Sequence, residues 1–380
     1  MISHPFTTEI VLGAAELESR PHGLAVHRLP SWARKQFPDP LLLDRESQPS
    51  GVRIAFTTVG THAELTVRTT RSAFRGLERG RGAIDVFVDG VLHTRSELTG
   101  GNTIETDLAT GESTTVSGPP HTVALTGLRA GSKTLEFWLP HNETVELVDL
   151  TVAAEIDPLD SRGSRRWVHH GSSISHGSNA TAPSATWPAI AARSVGNIQL
   201  TNLGFGGSAM VDPFMARVIR DTPADVISVK LGINVVNGDV MRLRSFIPAV
   251  HGFLDTIREG HPTTPLLLIS PLHCAIHEQT PGPGAFDPDA LASGQVRFLA
   301  TGDPQDVPAG RLTLESIRTA LEIVVAHRTD DPQLQFVDGL EMLGAVDEQQ
   351  LPLEDALHPS TEAHEVIGQR FAKHLARTLE

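Results

Sequence analysis

Between residues 50 and 155, hydrophobic residues recur at every second position, in short runs separated by turn residues. Residues 64–68 and 134–137 show this alternation, and Gly, Pro, Asn and Asp cluster between such runs. The pattern is typical of antiparallel strands that bury one face. We therefore predict an all-β sandwich or jelly-roll domain over residues 1–158, with no helix-length apolar stripe in 50–155 and with one or two strands in the less regular first 50 residues.

After residue 166 the pattern changes, and short apolar runs alternate with segments whose apolar residues recur every three or four positions. Strands are predicted for the apolar runs, which end at Val168 and lie at 198–202, 225–232, 265–270 and 334–337. Helices are predicted at 187–193, 246–257, 314–324 and 363–375, the last with Ser360 as its N-cap residue. Strands that alternate with helices form a parallel sheet with helices on both faces. We expect this α/β domain to span residues 159–380, after a polar linker at 157–165.

Loops that follow the carboxyl ends of such strands share one crevice. Three of these loops contain residues suited to catalysis, at 171–177 (GSSISHG), 202–208 (NLGFGGS) and 231–234 (LGIN). A fourth segment, 355–359 (DALHP), lies near the C-terminus. We expect the four segments to meet at the crevice.

The residue types in these segments suit acyl transfer by a serine. Ser173 can be the nucleophile if a base lies within hydrogen-bond reach and a third group orients that base. His358 can be the base, and Asp355, three residues earlier, can accept a hydrogen bond from the other ring nitrogen. The oxyanion formed during acyl transfer needs preorganised donors. The backbone N–H groups of Gly207 and Ser173 and the side-chain amide of Asn234 are the candidates.

The order of these segments resembles the motifs of the SGNH hydrolases, also called GDSL-type esterases. Residues 171–177 match the first motif of that family, Gly-Asp-Ser-Ile/Leu-Thr/Ser-x-Gly, except at Ser172, where the family has Asp. The register of this match implies that Ser173, and not Ser172, is the nucleophile. Asn202 and Gly207 match the second motif, in which the glycine donates to the oxyanion.

The other two motifs lie further along the chain. Residues 232–234 match the third motif, Gly-x-Asn-Asp, up to its last position, where Val235 replaces Asp. Residues 355–359 match the final Asp-x-x-His-Pro motif completely. The resemblance covers about residues 166–380, and it implies the flavodoxin-like sheet of the SGNH hydrolase fold, a Ser-His-Asp triad and no cofactor.

Four further residues are candidate substrate contacts. His176 and Phe205 lie in the loops after the first two strands of the α/β domain, and His273 and His277 follow the strand at 265–270. Cys274 lies between the last two histidines, which raises the possibility of a metal site, but no third ligand is apparent and we predict no metal. We expect these residues to line the pocket.

Composition and charge exclude several classes of partner. A chain of 380 residues suits two domains, and its formal net charge of −14 argues against nucleic acid or an anionic membrane surface as a partner. The single cysteine excludes an intrachain disulfide. The N-terminus lacks a signal-peptide pattern, and no apolar run approaches the ~20 residues that span a bilayer. These features predict a cytoplasmic protein without membrane insertion; they do not predict its oligomeric state.

The sequence therefore predicts a serine esterase that removes a short acyl group, acetyl above all, from a sugar or a small polar alcohol. The N-terminal part resembles, less closely, the β domain of two-domain family members that include acetyl-removing carbohydrate esterases. One alternative is an acyltransferase that uses the same triad. Another is a carbohydrate-binding protein with a degenerate hydrolase domain, which is supported only by the replacements at Ser172 and Val235. The loop at 280–287 either covers the crevice or is a plain surface loop.

Overall fold

The computed structural model describes residues 1–77, 80–107, 110–160 and 162–380. The described residues form two compact units. The first consists of residues 1–31, 43–164 and 181–184, and the second of residues 32–42, 165–180 and 185–380. This division differs from the predicted boundary between residues 158 and 159. Residues 32–42 belong to the second unit, where Phe37 stacks on Phe214 with ring centroids 5.3 Å apart.

The first unit is built from strands. They are β1 (Ile2–Ser3), β2 (Val11–Leu12), β3 (Glu16–Arg20), β4 (Gly23–His27), β5 (Arg53–Thr58), β6 (Ala63–Phe74), β7 (Ala83–Val88), β8 (Val91–Glu97), β9 (Asn102–Thr106), β10 (Ser113–Val116), β11 (His121–Leu125), β12 (Lys133–Trp138), β13 (Thr144–Val152) and β14 (Ile156–Pro158). Within the described residues they form two sheets. One has the order β10–β9–β6–β13–β4–β3, with β1 beside β13 and β11 beside β6, and the other has the order β14–β5–β12–β7–β8, with β2 beside β5.

The two sheets of this unit share one hydrophobic core. Strands β5 and β12 contribute Phe56 and Phe137 from one sheet, and β6 and β13 contribute Val67 and Leu147 from the other. Packing of two sheets over a common core is the arrangement of a β-sandwich. The predicted sandwich is therefore confirmed.

The first 50 residues are more regular than the sequence predicts. They contain β1 to β4 and two helices, α1 (Ser31–Gln36) and α2 (Pro40–Glu46), where only one or two strands are expected. These elements are two to seven residues long, which is too short for a hydrophobic period to be recognised. That part of the prediction was wrong.

The second unit contains the predicted parallel sheet. Its strands are β15 (Arg165–Gly171), β16 (Ile198–Gly204), β17 (Val226–Lys230), β18 (Leu266–Ile269), β19 (Gly284–Phe286), β20 (Phe298–Ala300) and β21 (Leu334–Val337). Within the described chain, β19 and β20 form a separate antiparallel hairpin, and the other five form a parallel sheet in the order β16–β15–β17–β18–β21. In chain order this is 2-1-3-4-5, the flavodoxin-like arrangement.

Helices cover both faces of this sheet. They are α3 (Ser173–His176), α4 (Trp187–Val195), α5 (Pro213–Asp221), α6 (Ile233–Asn237), α7 (Leu243–Gly260), α8 (Pro288–Ala292), α9 (Leu314–His327), α10 (Gly339–Met342), α11 (Ala345–Gln350) and α12 (Thr361–Leu379), with 3₁₀ turns at Pro183–Ala185, Ala275–His277 and Pro304–Ala309. Consecutive strand residues point to opposite faces of a sheet. His169 of β15 contacts Trp187 of α4, with centroids 4.6 Å apart, whereas His170 contacts Phe253 of α7 at 6.1 Å. As predicted, Ser360 caps α12, because its hydroxyl accepts the N–H of Ala363 at 3.3 Å.

The strand order of the parallel sheet reverses at β15, which has β16 on one side and β17 on the other. In open α/β sheets the ligand crevice lies outside the carboxyl end of the strand where the order reverses. Strand β15 ends at Gly171, two residues before Ser173. The topology therefore places the predicted nucleophile at this crevice.

The predicted linker at 157–165 is partly strand. Its ends belong to β14 and β15, and Ser161 lies outside the described residues. In the described part of the chain, no helix is both long and apolar enough to cross a membrane.

Candidate active site

The structure brings the three predicted catalytic residues together in one hydrogen-bonded chain. His358 Nε2 lies 2.9 Å from Ser173 Oγ, although the two residues are 185 positions apart in sequence. His358 Nδ1 lies 2.7 Å from Asp355 Oδ2. Because a carboxylate can only accept, the neutral ring carries its proton on Nδ1 and presents Nε2 to the serine as an acceptor. This is the arrangement that a serine nucleophile needs for activation.

The turn between Asp355 and His358 is built to hold the carboxylate. Asp355 Oδ1 accepts the backbone N–H groups of Leu357 at 2.9 Å and of His358 at 2.7 Å. Ala356 adopts a φ of +63°, an unusual value for a residue with a side chain, and this lets the chain fold back on the carboxylate. Burial by itself raises the pKa of Asp355, but the hydrogen bond and electrostatic attraction of His358, together with the backbone N–H groups of Leu357 and His358, hold that pKa below its usual value. The carboxylate therefore stays ionised at neutral pH.

The nucleophile lies at the start of the short helix α3, and Ser172 occupies the N-cap position. The Ser172 hydroxyl accepts the N–H of Ile174 at a long 3.4 Å, and this bond replaces the brace that a carboxylate would supply. Asn202 supports the turn from the next strand, since its Nδ2 donates to the Ser175 carbonyl at 2.9 Å. With Ser in place of Asp at position 172, the turn is therefore held chiefly by hydrogen bonds from neighbouring residues.

A buried polar network supports the same turn from inside the sheet. The His169 ring lies 2.8 Å from Ser175 Oγ and 2.7 Å from Ser228 Oγ, and Trp167 Nε1 donates to Ser228 Oγ at 2.8 Å. Burial lowers the pKa of His169 well below its usual value, so the ring is neutral. Sequence analysis did not identify this network, because Ser228, which joins Trp167 and His169, lies on the adjacent strand β17.

The predicted oxyanion donors lie on the loops after β16 and β17. Gly207 has a φ of +73°, which favours glycine, and a side chain there would meet Leu41 Cδ2 at 2.8 Å. Asn234 follows Gly232 at the start of α6, and its Oδ1 accepts the N–H of Ala209 at 3.1 Å. That bond connects the two loops and leaves the side-chain N–H₂ group of Asn234 as the donor.

Two of the four predicted substrate contacts are completely buried in the structure. Phe205 is completely buried and packs against the His170 ring, so it belongs to the core. His277 is also completely buried, with its ring nitrogens 3.1 Å from the Thr280 carbonyl and 3.1 Å from the Asn237 side chain. The histidine therefore fixes the start of the 280–287 loop.

The other two substrate contacts are less buried, and all four stay predictions. His176 is buried in α3, with 4% of its surface exposed. His273 is partly exposed, and its Nδ1 lies 2.5 Å from Glu348 Oε2. Cys274 is buried, and its thiol donates to the Ala356 carbonyl at 3.5 Å. Across the described residues, no cluster of three or more His, Cys, Asp or Glu side chains could hold a metal ion.

Two hydrophobic residues that contact predicted site residues were missed from the sequence. Phe298 of β20 packs edge-on against the His358 ring, with centroids 5.7 Å apart, and Leu41 lies beside Gly207. The predicted loop at 280–287 contains β19, so it forms one strand of the hairpin that carries Phe298. Strands of three residues leave no periodic signal in a sequence.

Comparisons with known proteins agree with this fold. Residues 164–279 match the model of the GDSL-like lipase/acylhydrolase family. No curated protein matches the chain. Among solved structures, the salicylyl-acyltransferase SsfX3 from a tetracycline biosynthetic pathway is 26% identical with a TM-score of 0.77, and the match covers 97% of this chain and 94% of that chain.

Two more distant solved structures share the fold alone. A Bacteroides ovatus protein thought to be a GDSL-like lipase is 18% identical with a TM-score of 0.66, over 97% of this chain and 95% of that chain. A family two carbohydrate esterase from Clostridium thermocellum, solved with cellohexaose, is 16% identical with a TM-score of 0.53, over 87% of this chain and 93% of that chain.

Proposed function

We propose that the protein is a serine esterase whose nucleophile is Ser173, because residues 164–279 match the model of the GDSL-like lipase/acylhydrolase family. The observation that carries the proposal is the hydrogen-bonded chain from Ser173 through His358 to Asp355. Each of the three groups has the partner that its role requires. The reaction needs no metal or cofactor.

The proposed reaction has two halves. His358 Nε2 takes the proton of Ser173 as the serine oxygen attacks the ester carbonyl, and the N–H groups of Gly207, Asn234 and Ser173 stabilise the oxyanion. His358 then protonates the leaving alcohol, which leaves an acyl group on Ser173. In the second half, His358 deprotonates a water molecule, the water attacks the acyl-enzyme, and the serine is restored. Asp355 remains ionised and stabilises the positive charge that forms on the ring.

We propose a short acyl group, acetyl by preference, on a sugar or a small polar alcohol as the substrate. The sequence contains no long apolar stretch that would suit a lipid chain. The fold is shared with a family two carbohydrate esterase, which supports this substrate class.

The second candidate is an acyltransferase that passes the acyl group from Ser173 to an alcohol or an amine. The similarity to a salicylyl-acyltransferase at 26% identity over 97% of this chain favours it. Both reactions share the acyl-enzyme, so they differ only in the acceptor that enters the second half.

Hydrolysis of p-nitrophenyl acetate by the full chain tests the nucleophile. Ser173→Ala should reduce turnover by at least about 10³-fold, because the acyl-enzyme cannot form. Ser172→Ala is the matched control and should retain most activity, because the hydrogen bond that the Ser172 hydroxyl accepts from the N–H of Ile174 is long, at 3.4 Å. Unchanged turnover in Ser173→Ala would refute the proposal.

The acceptor is tested by adding alcohols and amines to the same assay. If water is the acceptor, released acetate equals released p-nitrophenol at every acceptor concentration. If the protein is a transferase, acetate falls and an acetylated acceptor appears in its place.

A further inference from the structure

The hairpin of β19 and β20 presents a pair of aromatic rings beside the triad. Phe286 and Phe298 are directly opposite each other in its register, and their ring centroids lie 5.0 Å apart. Phe286 is 40% exposed and Phe298 is partly buried. Large exposed aromatic side chains that cluster at a cleft are a feature of ligand-binding surfaces.

The aromatic pair is fixed relative to His358 by two contacts of Phe298. Its ring packs against the His358 ring at an interplanar angle of 78°, the edge-to-face geometry that aromatic pairs favour. Its backbone N–H donates to the carbonyl of Asp355 at 2.8 Å. The base of the hairpin is closed by Thr301, whose N–H donates to the Pro283 carbonyl at 2.9 Å. The rings therefore keep their position beside the general base.

Their position determines which part of an ester they face. The oxygen of the leaving alcohol must come within hydrogen-bond reach of His358 Nε2 to receive its proton. The alcohol part of the substrate therefore lies on the His358 side, next to the aromatic pair. The carbonyl oxygen faces the proposed oxyanion donors instead, and Leu41 is the hydrophobic neighbour of one of them, Gly207.

We propose that Phe286 and Phe298 form a stacking wall for a ring in the alcohol part of the ester, and that this wall selects ring-bearing alcohols over open-chain ones. The inference rests on the proposed esterase function. An aromatic face suits a flat ring, either an aromatic ring or the C–H face of a sugar. The side chain that determines selectivity is Phe286, because it is exposed and its ring pairs with Phe298.

Acetate esters of matched reactivity test the wall. Benzyl alcohol and ethanol have similar acidities, so benzyl acetate and ethyl acetate differ mainly in the ring. Phe286→Ala should lower kcat/KM for benzyl acetate about 3- to 10-fold, chiefly through KM, and leave ethyl acetate within about 2-fold. Phe298→Leu should shift the ratio in the same direction. Val296→Ala is the matched control, since Val296 is 39% exposed on the same segment and should change neither ester.

The possible outcomes test the stacking wall and the esterase function separately. Equal losses for both esters in Phe286→Ala would overturn the wall and assign the pair a structural role. Activity of the wild type on both esters without preference for benzyl acetate would also overturn it, while leaving the esterase intact. Failure of the wild type to hydrolyse either ester, with no labelling of Ser173 by a fluorophosphonate, would refute the esterase proposal itself. A 6-O-acetylated methyl glucoside tests which kind of ring the wall accepts. If Phe286→Ala lowers kcat/KM for this ester as it does for benzyl acetate, the wall also accepts sugars. If kcat/KM for the glucoside does not change, the wall accepts aromatic alcohols only.

Discussion

At the scale of single residues, the orientation of His358 depends on the carboxylate of Asp355, because both oxygens of that carboxylate accept hydrogen bonds. One oxygen of Asp355 accepts the backbone N–H groups of Leu357 and His358. The other accepts the His358 ring and the side-chain N–H of Asn179, the latter at 3.2 Å. A carboxylate held by four donors cannot rotate, so the ring it faces is held as well. An amide at this position would present an N–H₂ group where the turn requires acceptors.

Asp355→Asn tests this orientation. We expect kcat for p-nitrophenyl acetate to fall about 10²- to 10⁴-fold, because the ring loses its orientation and the charge on the protonated ring loses its partner. Asn179→Ala is the control, since it removes one bond to the same carboxylate and should cost no more than about 10-fold. Wild-type kcat in Asp355→Asn would instead indicate a Ser-His dyad.

At the scale of elements, the loops after β16 and β17 form the proposed oxyanion site together. The bond from the Ala209 N–H to Asn234 Oδ1 joins them at 3.1 Å. Gly207 needs its φ of +73° to turn the loop, and it allows Leu41 to approach. The conformation of one loop therefore orients donors on both.

Gly207→Ala tests the contribution of this loop. The φ value costs roughly 1–2 kcal/mol for a residue with a side chain, and the added methyl group also meets Leu41. We expect kcat to fall and KM to change little, because the affected N–H group acts mainly on the transition state. The double variant Leu41→Ala, Gly207→Ala should recover part of the loss. A wild-type kcat in Gly207→Ala would remove Gly207 from the proposed oxyanion site.

Long elements and contiguous motifs can be predicted well from the sequence. Contacts between residues that are far apart in the chain cannot. The strand at Leu334–Val337 has the predicted bounds, and Asp355 and His358 are near neighbours in one motif. Phe298 contacts His358 because of the path that the preceding loop takes. Leu41, which lies beside Gly207, comes more than a hundred residues before it in the sequence. No local pattern records such contacts, so they had to be found in the structure.

At the scale of the whole molecule, buried neutral histidines make the second unit sensitive to acid. Burial lowers the pKa of His170 and of His364 to about 4, and both rings are completely enclosed or nearly so. His364 joins helix α12 to helix α4 and to the turn after α3, because its ring contacts the Ser178 carbonyl at 2.9 Å and the Trp187 N–H at 3.3 Å. Each ring must therefore be neutral in the folded state.

The sign of the pH dependence follows from these values. Between about pH 6.5 and 4 the unfolded chain binds more protons than the folded chain, so folded stability is full above pH 6.5 and is lost as pH falls towards 4. The loss is roughly 1.4 kcal/mol per pH unit for each histidine, or about 2 kcal/mol each at pH 5. Urea unfolding at pH 7.5 and pH 5 measures it. His364→Gln should show a smaller difference between the two pH values, and an undiminished difference would contradict the assignment.

The most direct test of the central claim is fluorophosphonate labelling of the folded protein, followed by peptide mass spectrometry. We predict one label per chain, on Ser173, because its hydroxyl is the one hydrogen-bonded to His358. The label should be absent from Ser173→Ala and present in Ser172→Ala. A label on Ser172 or Ser175, or no label on folded wild-type protein, would contradict the account.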